Sequence, residues 1–359
     1  MNMDIKKSLR NLNGEVLLGI DGMIDEIWEL IDSREGQTSY TKMTKLMQLG
    51  NAITERGNGG LAKERVPKRR SAGGFCCNTG RATGTMGVKT KLLGTFGENE
   101  IDEVFNEIKD KTEMISIGQA VKLFILEFVD GKLFLPHLDE LLRLTWEKLV
   151  DIVGAEKLKQ ICNVEIIGVG YWSNMYDFDN IINGFLNISN KEKTKRFFHD
   201  FANLNKRTPE ALTDALKSLE NINSKMPQTL SLNEHEGKIL SEHLGFYYPD
   251  TTKTKEDFEA VVKSVELIRD AIKIDEVVVH TPYFAVASTA KEGTVGTWQE
   301  HCEKPVKTTG AGDTFNGGYI MASLTDLPIK EKLDIANKVT NHYVANGVPP
   351  TIEELIEKF

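Results

Sequence analysis

The sequence predicts an α/β protein: a doubly wound, mainly parallel sheet with helices on both faces, joined to a small β-rich layer. Three observations lead there. Short β-branched runs alternate with helix-period segments over most of the 359 residues, the pattern that stacked βαβ units produce. Several of those runs are almost uninterrupted hydrophobics, as suits parallel strands covered on both faces. Two stretches, at about 27–70 and 117–137, break the alternation.

Taken in order, strand-like runs fall at 16–20, 90–93, 164–169, 196–199, 229–232 and 276–279. The segments between them read as helices. Thr208-Pro209 supplies a cap and then proline in the first turn, after which Ala211, Leu212, Ala215, Leu216 and Leu219 share one face. Thr254 opens another, with Phe258, Val261, Val262, Val265, Ile268 and Ile272 on one stripe. Ile101, Val104, Phe105 and Ile108 mark a helix earlier in the chain. Pro328 starts one that runs through Leu333, Ala336 and Val339 and stops at Gly347. Thr351-Ile352-Glu353-Glu354 is a capping box for a last short helix.

The first irregular stretch contains a helix-like segment (Met43, Leu46, Met47, Ile53) and then a Gly-rich, basic loop from Arg56 to Arg70. The second holds two apolar runs around Asp130-Gly131, a strong hairpin signal. Both read as insertions lying beside the sheet.

Length sets a soft expectation of two domains. With 40% hydrophobic and 27% charged residues, the chain has the composition of a folded globular protein with a large core. The net charge of −9 argues against broad binding to nucleic acid or to an anionic membrane, while leaving room for a local basic patch. Cys76, Cys77, Cys162 and Cys302 form no Cys-x-x-Cys pair and read as free thiols of a reducing cytosol. No secretory leader and no apolar span of about 20 residues is visible, so a cytoplasmic protein is expected.

The chemistry concentrates at 307–319, Lys-Thr-Thr-Gly-Ala-Gly-Asp-Thr-Phe-Asn-Gly-Gly-Tyr. Small residues at Gly310, Ala311 and Gly312 permit a tight loop, and Phe315 and Tyr319 fit one face of a following helix. The N–H groups at such a helix start are unsatisfied and carry the positive end of the dipole, which suits a phosphate. Asp313 then stands where it can take a proton from a hydroxyl that attacks the phosphate, or where it merely caps the helix.

This stretch resembles the C-terminal signature of the ribokinase-like (PfkB) family of carbohydrate and nucleoside kinases. The resemblance implies Asp313 as catalytic base and the Gly310, Ala311 and Gly312 backbone as anion hole. Gly73-Gly74-Phe75-Cys76-Cys77-Asn78 and the residues after it are similar to the family's N-terminal signature, which implies Gly73, Gly74 and Asn78 at the acceptor sugar. Gly94-Thr95-Phe96-Gly97 resembles the family's Gly-x-x-Gly strand end. Asp21, with Asp25 close behind, matches the acidic residue that the family places after the first strand to bind sugar hydroxyls; a turn-forming or capping role is the alternative. Asn233-Glu234-His235-Glu236 matches the family's Asn-x-x-Glu, which implies Asn233 and Glu236 at the nucleotide phosphates and Mg²⁺, with Glu236 acting through water. Thr281, Thr308 and Thr309 complete the implied nucleotide contacts. Asp200-Phe201-Ala202-Asn203 with Arg207 matches a further motif loosely, and Tyr171-Trp172 either stack on a sugar or pack in a loop.

The resemblance covers about 15–356. It implies one ribokinase-like kinase domain over 1–359, with 27–70 and 117–137 forming an inserted lid that closes over the sugar and excludes water. Two departures stand out. His280-Thr281-Pro282 replaces the usual Thr-x-Gly, leaving ATP or ADP open as donor, because a His-Thr pair loosely resembles ADP-dependent sugar kinases. Lys307 replaces the usual Asp before Thr-Thr, where it attracts phosphate or is simply exposed. The reading is ATP- and Mg²⁺-dependent phosphorylation of a hydroxyl on a sugar or related small molecule. A nucleoside acceptor is the alternative within enzymes, and a silent sugar- or nucleotide-responsive binding protein the alternative outside them. A homodimer through the lid, common in the family, is left open.

Overall fold

The computed structural model describes residues 2–359. Its strands begin with β1 (Glu15–Gly19), β2 (Met23–Arg34), β3 (Tyr40–Lys42), β4 (Arg65–Gly73), β5 (Lys89–Gly94) and β6 (Glu113–Ser116). A hairpin of β7 (Val121–Phe128) and β8 (Gly131–His137) follows. Then come β9 (Ile166–Gly170), β10 (Arg196–Asp200), β11 (Gln228–Asn233) and β12 (Glu276–His280), and a second hairpin of β13 (Phe284–Thr289) and β14 (Gly293–Trp298).

Nine of these form one sheet in the order β14-β13-β12-β11-β10-β9-β1-β5-β6. From β12 to β6 every pairing is parallel, and β13 and β14 extend one edge antiparallel. The six strand-like runs of the sequence all lie in this sheet. Their burial on both faces explains the missing alternation: on β1, Leu17 packs into one core while Val16 and Leu18 pack into the other. The Pro209–Asn223 and Lys255–Ile272 helices cover the first face through Leu212, Leu216, Val261 and Val265. The Gly74–Thr85, Ala311–Ser323 and Ile329–Asn346 helices cover the second through Phe75, Tyr319 and Leu333.

Local signals terminate these helices as expected. The Thr208 hydroxyl accepts from the Ala211 amide, and full capping boxes stand at Thr254/Asp257 and Thr351/Glu354. The stretch at 101–108 is a correction: it forms only a 3₁₀ turn at Glu103–Phe105 and one α turn at Asn106–Lys109. The β13–β14 hairpin and β6 had no counterpart in the sequence reading.

The lid is a second sheet, in which β2 pairs with β3, β4 and β7, and β7 with β8. It begins at Met23, directly after the first strand, earlier than the 27 expected. The basic loop ending at Arg70 is partly a strand: 65–70 belong to β4 and pair antiparallel with β2. Main-chain bonding to a neighbour overrides that polar, turn-like composition. The hairpin turn is Val129-Asp130, with Gly131 already paired to Phe128 and the Asp130 carboxylate accepting from the Leu46 amide. The Leu46–Arg56 helix lies on the lid's outer face, packing Leu46, Leu49 and Ala52 against Trp28, Leu30, Phe124 and Leu126. That apolar face is therefore closed within the chain. Among the described residues no helix is long and apolar enough to cross a membrane.

Phe75 links the acceptor-side helix to the sheet. It is fully buried, stacks on Phe198 at 6.5 Å and meets Tyr171 at the same distance. Phe75→Ala is expected to lower the unfolding free energy by about 3–5 kcal/mol, read by urea denaturation.

Candidate active site

The sequence-predicted site residues gather at the carboxyl edge of the large sheet, at the starts of the flanking helices, and, for Asp25 and Gly73, on the lid strands β2 and β4. Asp21 follows β1, Asp200 ends β10, Asn233 ends β11 and His280 ends β12. In an open α/β sheet this edge is where ligands settle, because loops diverge there and leave a crevice.

The Ala311–Ser323 helix points its N-terminus into the crevice, with Gly310 as N-cap at φ +83°. The Ala311 N–H turns back onto the Thr308 carbonyl at 3.1 Å. This corrects the expected anion hole, since that amide closes the turn. The N–H groups of Gly310, Gly312 and Asp313 form no hydrogen bond among the described residues and remain open to an anion. Asp313 is buried, and its Oδ2 accepts from the Asn78 amide at 2.9 Å. Burial pushes its carboxyl up to about 6, against the opposing pull of Asn78 and of the Arg81 guanidinium.

The Asn78 amide is held on both sides. Arg81 donates to its Oδ1 at 2.7 Å, and because arginine only donates, the Asn78 nitrogen must face Asp313. Arg81 is itself anchored on the Ala72 carbonyl and on Glu107. Asn78, expected to bind sugar, is thus first of all the group that orients Asp313.

Asp21 and Asp25 sit against the two glycines. A Cβ on Gly74, whose φ is +89°, would lie 2.0 Å from Asp21 Oδ2, and one on Gly73 would lie 2.4 Å from Asp25 Oδ1. Only glycine allows so close an approach. Asp21 Oδ1 accepts from the Cys76 amide at 2.7 Å, while Asp21 Oδ2 and Asp25 Oδ1 are buried without a partner. Burial, with repulsion from Asp313, pushes Asp21 up to about 7 and Asp25 up to about 6. Two unpaired acceptor oxygens, set against adjacent glycines, suit sugar hydroxyls.

Two cavities meet at the helix start. The larger, about 690 Å³, is lined by Asn233, His280, Thr281, Thr308, Ala311 and Gly312 among others, a fitting volume for a nucleotide. The smaller, about 260 Å³, joins Tyr171, Asp200, Asn233, Glu236, Gly310 and Asp313. Asn233 and Glu236 form a reciprocal capping box at the start of the Glu234–His243 helix, at 2.9 and 3.0 Å. Burial and then the charge of Asp200 push Glu236 well up, and burial with the Asp313 charge does the same to Asp200. Such a set of buried, mutually repelling oxygens suits a divalent cation. No three acidic, His or Cys side chains clasp a metal directly among the described residues, so these carboxylates fit Mg²⁺ held through its waters.

Comparison with known proteins agrees with this geometry. The prokaryotic ketohexokinase family description matches residues 4–359. The chain belongs to that family. A ketohexokinase from Haloferax volcanii is 27% identical over 352 residues, spanning 95% of this chain and 90% of the relative. The same fold occurs in a ribokinase from Cryptococcus neoformans var. grubii serotype A solved with ADP, with TM-score 0.68, 14% identity and coverage of 97% and 99%. It also occurs in an adenosine kinase from Sinorhizobium meliloti, with TM-score 0.63, 14% identity and coverage of 97% and 98%. This member of the ketohexokinase family is a carbohydrate kinase, which sets aside the nucleoside and silent-binder alternatives.

Several sequence-level assignments change within this kinase. Thr309 does not line the nucleotide-sized cavity; its hydroxyl accepts from Lys132 of the lid at 3.0 Å. The Thr281 hydroxyl accepts from the amides of Tyr283 and Phe284, holding the turn around Pro282. Trp172 is buried against Phe201 at 5.1 Å and cannot reach a sugar, while Tyr171 lines the smaller cavity. Arg207 is sandwiched between Trp172 and Tyr176 and donates to the carbonyls of Trp172 and Met175. The sequence reading gave Asp200 only a loose motif match and assigned no role to Arg81 or Lys132. Asp200 had a signal, an acidic residue at a strand end, and its Oδ2 accepts from Asn316, which in turn accepts from Ser231. Arg81 stands one turn after Asn78; Lys132 had no local signal.

The folded Asp21 value near 7 lies far above the roughly 3.9 of an unfolded chain. Above pH 7 its buried charge opposes folding, and that opposition fades as pH falls toward about 4. Without ligand, Asp21→Asn is expected to be more stable than the parent at pH 8, with an advantage that shrinks steadily by pH 5 in urea titrations. An advantage independent of pH would contradict the buried charge.

Proposed function

We propose that this chain transfers the γ-phosphoryl group of ATP to a hydroxyl of a ketohexose, with Mg²⁺. One observation carries the reading: Asp313, oriented by Asn78, lies in the first turn of a helix with open start amides, and its charge acts on Asp21 and Asp25, each of which has an unpaired buried oxygen. The acceptor identity follows the ketohexokinase relative; the chemistry follows the site.

Asp21 and Asp25 accept hydrogen bonds from sugar hydroxyls and fix the ring against the Gly73-Gly74 backbone. Asp313 is held as an acceptor by the Asn78 N–H, so it is ready to take the proton of the attacking hydroxyl. The new O–P bond forms as the bond from the γ-phosphorus to the bridging oxygen breaks, and ADP leaves. The amides of Gly310, Gly312 and Asp313 face the charge that develops, where one preorganised donor contributes about 2.7–4 kcal/mol. Asn233, Glu236 and Asp200 would hold Mg²⁺ through water, and the bound cation supplies charge neutralisation at the phosphate oxygens. The lid sheet covers the acceptor and keeps bulk water from competing for the phosphoryl group.

Asp313→Asn is expected to lose about 10²–10⁴-fold in kcat while nucleotide affinity stays near the parent's. Near-normal turnover would sink the proposed base. In the parent, kcat/KM should fall as pH drops through about 6, where Asp313 takes up a proton. A release assay over ketohexoses, aldohexoses and nucleosides, run with ATP and with ADP as donors, checks acceptor and donor. Preference for a ketohexose with ATP is expected, and a preferred aldose or ADP would overturn that half of the reading.

A further inference from the structure

A third cavity, of about 560 Å³, lies where the lid meets the loop ahead of the Ala311–Ser323 helix. Its lining carries four cations, Lys68, Arg69, Lys132 and Lys307, and one acid, Glu127. Glu127 is already shared between Lys68 at 2.5 Å and Lys132 at 3.1 Å. The Arg69 guanidinium forms no hydrogen bond or ion pair among the described residues. Lys307 forms no ion pair either, and its ammonium lies 5.3 Å from the centre of the Tyr343 ring. Burial pulls the Lys307 ammonium down, and the nearby charges of Arg81 and Arg69 pull the same way. Unpaired cations are thus crowded at one place in a chain whose net charge is −9.

Nothing in the fold requires this. Arg69 lies opposite Ile27 on a lid strand, where a neutral side chain would pair as well. A neutral hydroxyl, that of Thr309, also lines the cavity. The Thr309 oxygen accepts from Lys132, which leaves its hydroxyl hydrogen free to donate, and the Tyr343 hydroxyl pins the Thr309 carbonyl at 2.6 Å. The cations reach the acceptor side as well: Lys307, Arg81 and Lys132 each pull the Asp25 carboxyl down against its burial. Lysine and arginine around a hydroxyl donor match a compact dianion with several acceptor oxygens.

We propose that this cavity is a second anion site, distinct from the helix-start amides, that takes a phosphate group. The phosphate is either the monoester of a sugar phosphate whose carbon chain lies toward Asp25, or free inorganic phosphate. This goes beyond the ketohexose reading, which uses a neutral acceptor and leaves Arg69 and Lys307 without a task.

Calorimetric titration of the full chain without nucleotide tests it, using inorganic phosphate and a ketohexose monophosphate against chloride at matched ionic strength. Saturable binding is expected, weakened about tenfold or more in Arg69→Gln and in Lys307→Gln, the loss of one charge-assisted hydrogen bond. Arg69→Lys should recover part of it. A sugar phosphate binding about tenfold tighter than both phosphate and the neutral sugar assigns the site to an ester carried by the sugar. Equal affinity for the two phosphates assigns it to the free ion. No saturable binding, or binding unchanged in both folded variants, overturns the proposal. Turnover of neutral ketohexose is scored separately and should match the parent's in Arg69→Gln. Loss of that turnover would overturn the separation of this site from catalysis, whereas a parent enzyme inactive on ketohexose refutes only the acceptor reading.

Discussion

Five carboxyl groups, Asp21, Asp25, Asp200, Glu236 and Asp313, are buried around the carboxyl edge of one sheet, and their loss of water, with repulsion between several of them, is the constraint that the surrounding structure answers. Gathering acids in a low-dielectric place is unfavourable unless each is held by donors or meets a cation. The fold supplies the donors one at a time. Asn78 serves Asp313, the Cys76 amide serves Asp21, Asn316 and the Ala202 amide serve Asp200, and the Asn233 amide serves Glu236. The oxygens left over call for donors or positive charge, which sugar hydroxyls and a hydrated cation would supply.

The positive side of this arrangement is equally local. Helix-start amides supply it at 310–313 without any charged side chain, and Arg81 supplies it behind Asn78. The remaining cations stand on the lid and on the loop it touches. The Lys132 contact with Thr309 ties the small sheet to the body beside the loop that precedes the Ala311–Ser323 helix.

Much of this was legible in the residues. Continuous hydrophobic runs such as 164–169 announce strands buried on both faces, and Thr208-Pro209 and Thr351 announce helix starts, because those signals act within a few residues. The catalytic stretch at 307–319 was legible for the same reason: glycine, a helix start and an aspartate act together over one turn. The 65–70 segment was not, since a basic, exposed strand has no alternation to read and exists only because β2 offers it hydrogen bonds. The hairpin of β13 and β14 likewise depends on finding the edge of β12.

By itself, then, the sequence determined the fold class and the kinase family, and it singled out Asp313, Asp21, Asp25, Gly73, Gly74, Asn233 and Glu236, which the fold gathers around one crevice. Tertiary structure decided the rest. It joined Asn78 to Asp313, bonded the Ala311 amide to the Thr308 carbonyl, placed Thr309 against the lid and buried Trp172 beside Arg207. The reason is physical: a residue's type and near neighbours follow from the chain, whereas which of its polar atoms is left unpaired depends on partners that folding brings from far away. Asn78 and Asp313 are 235 positions apart, and only their contact shows what each is for.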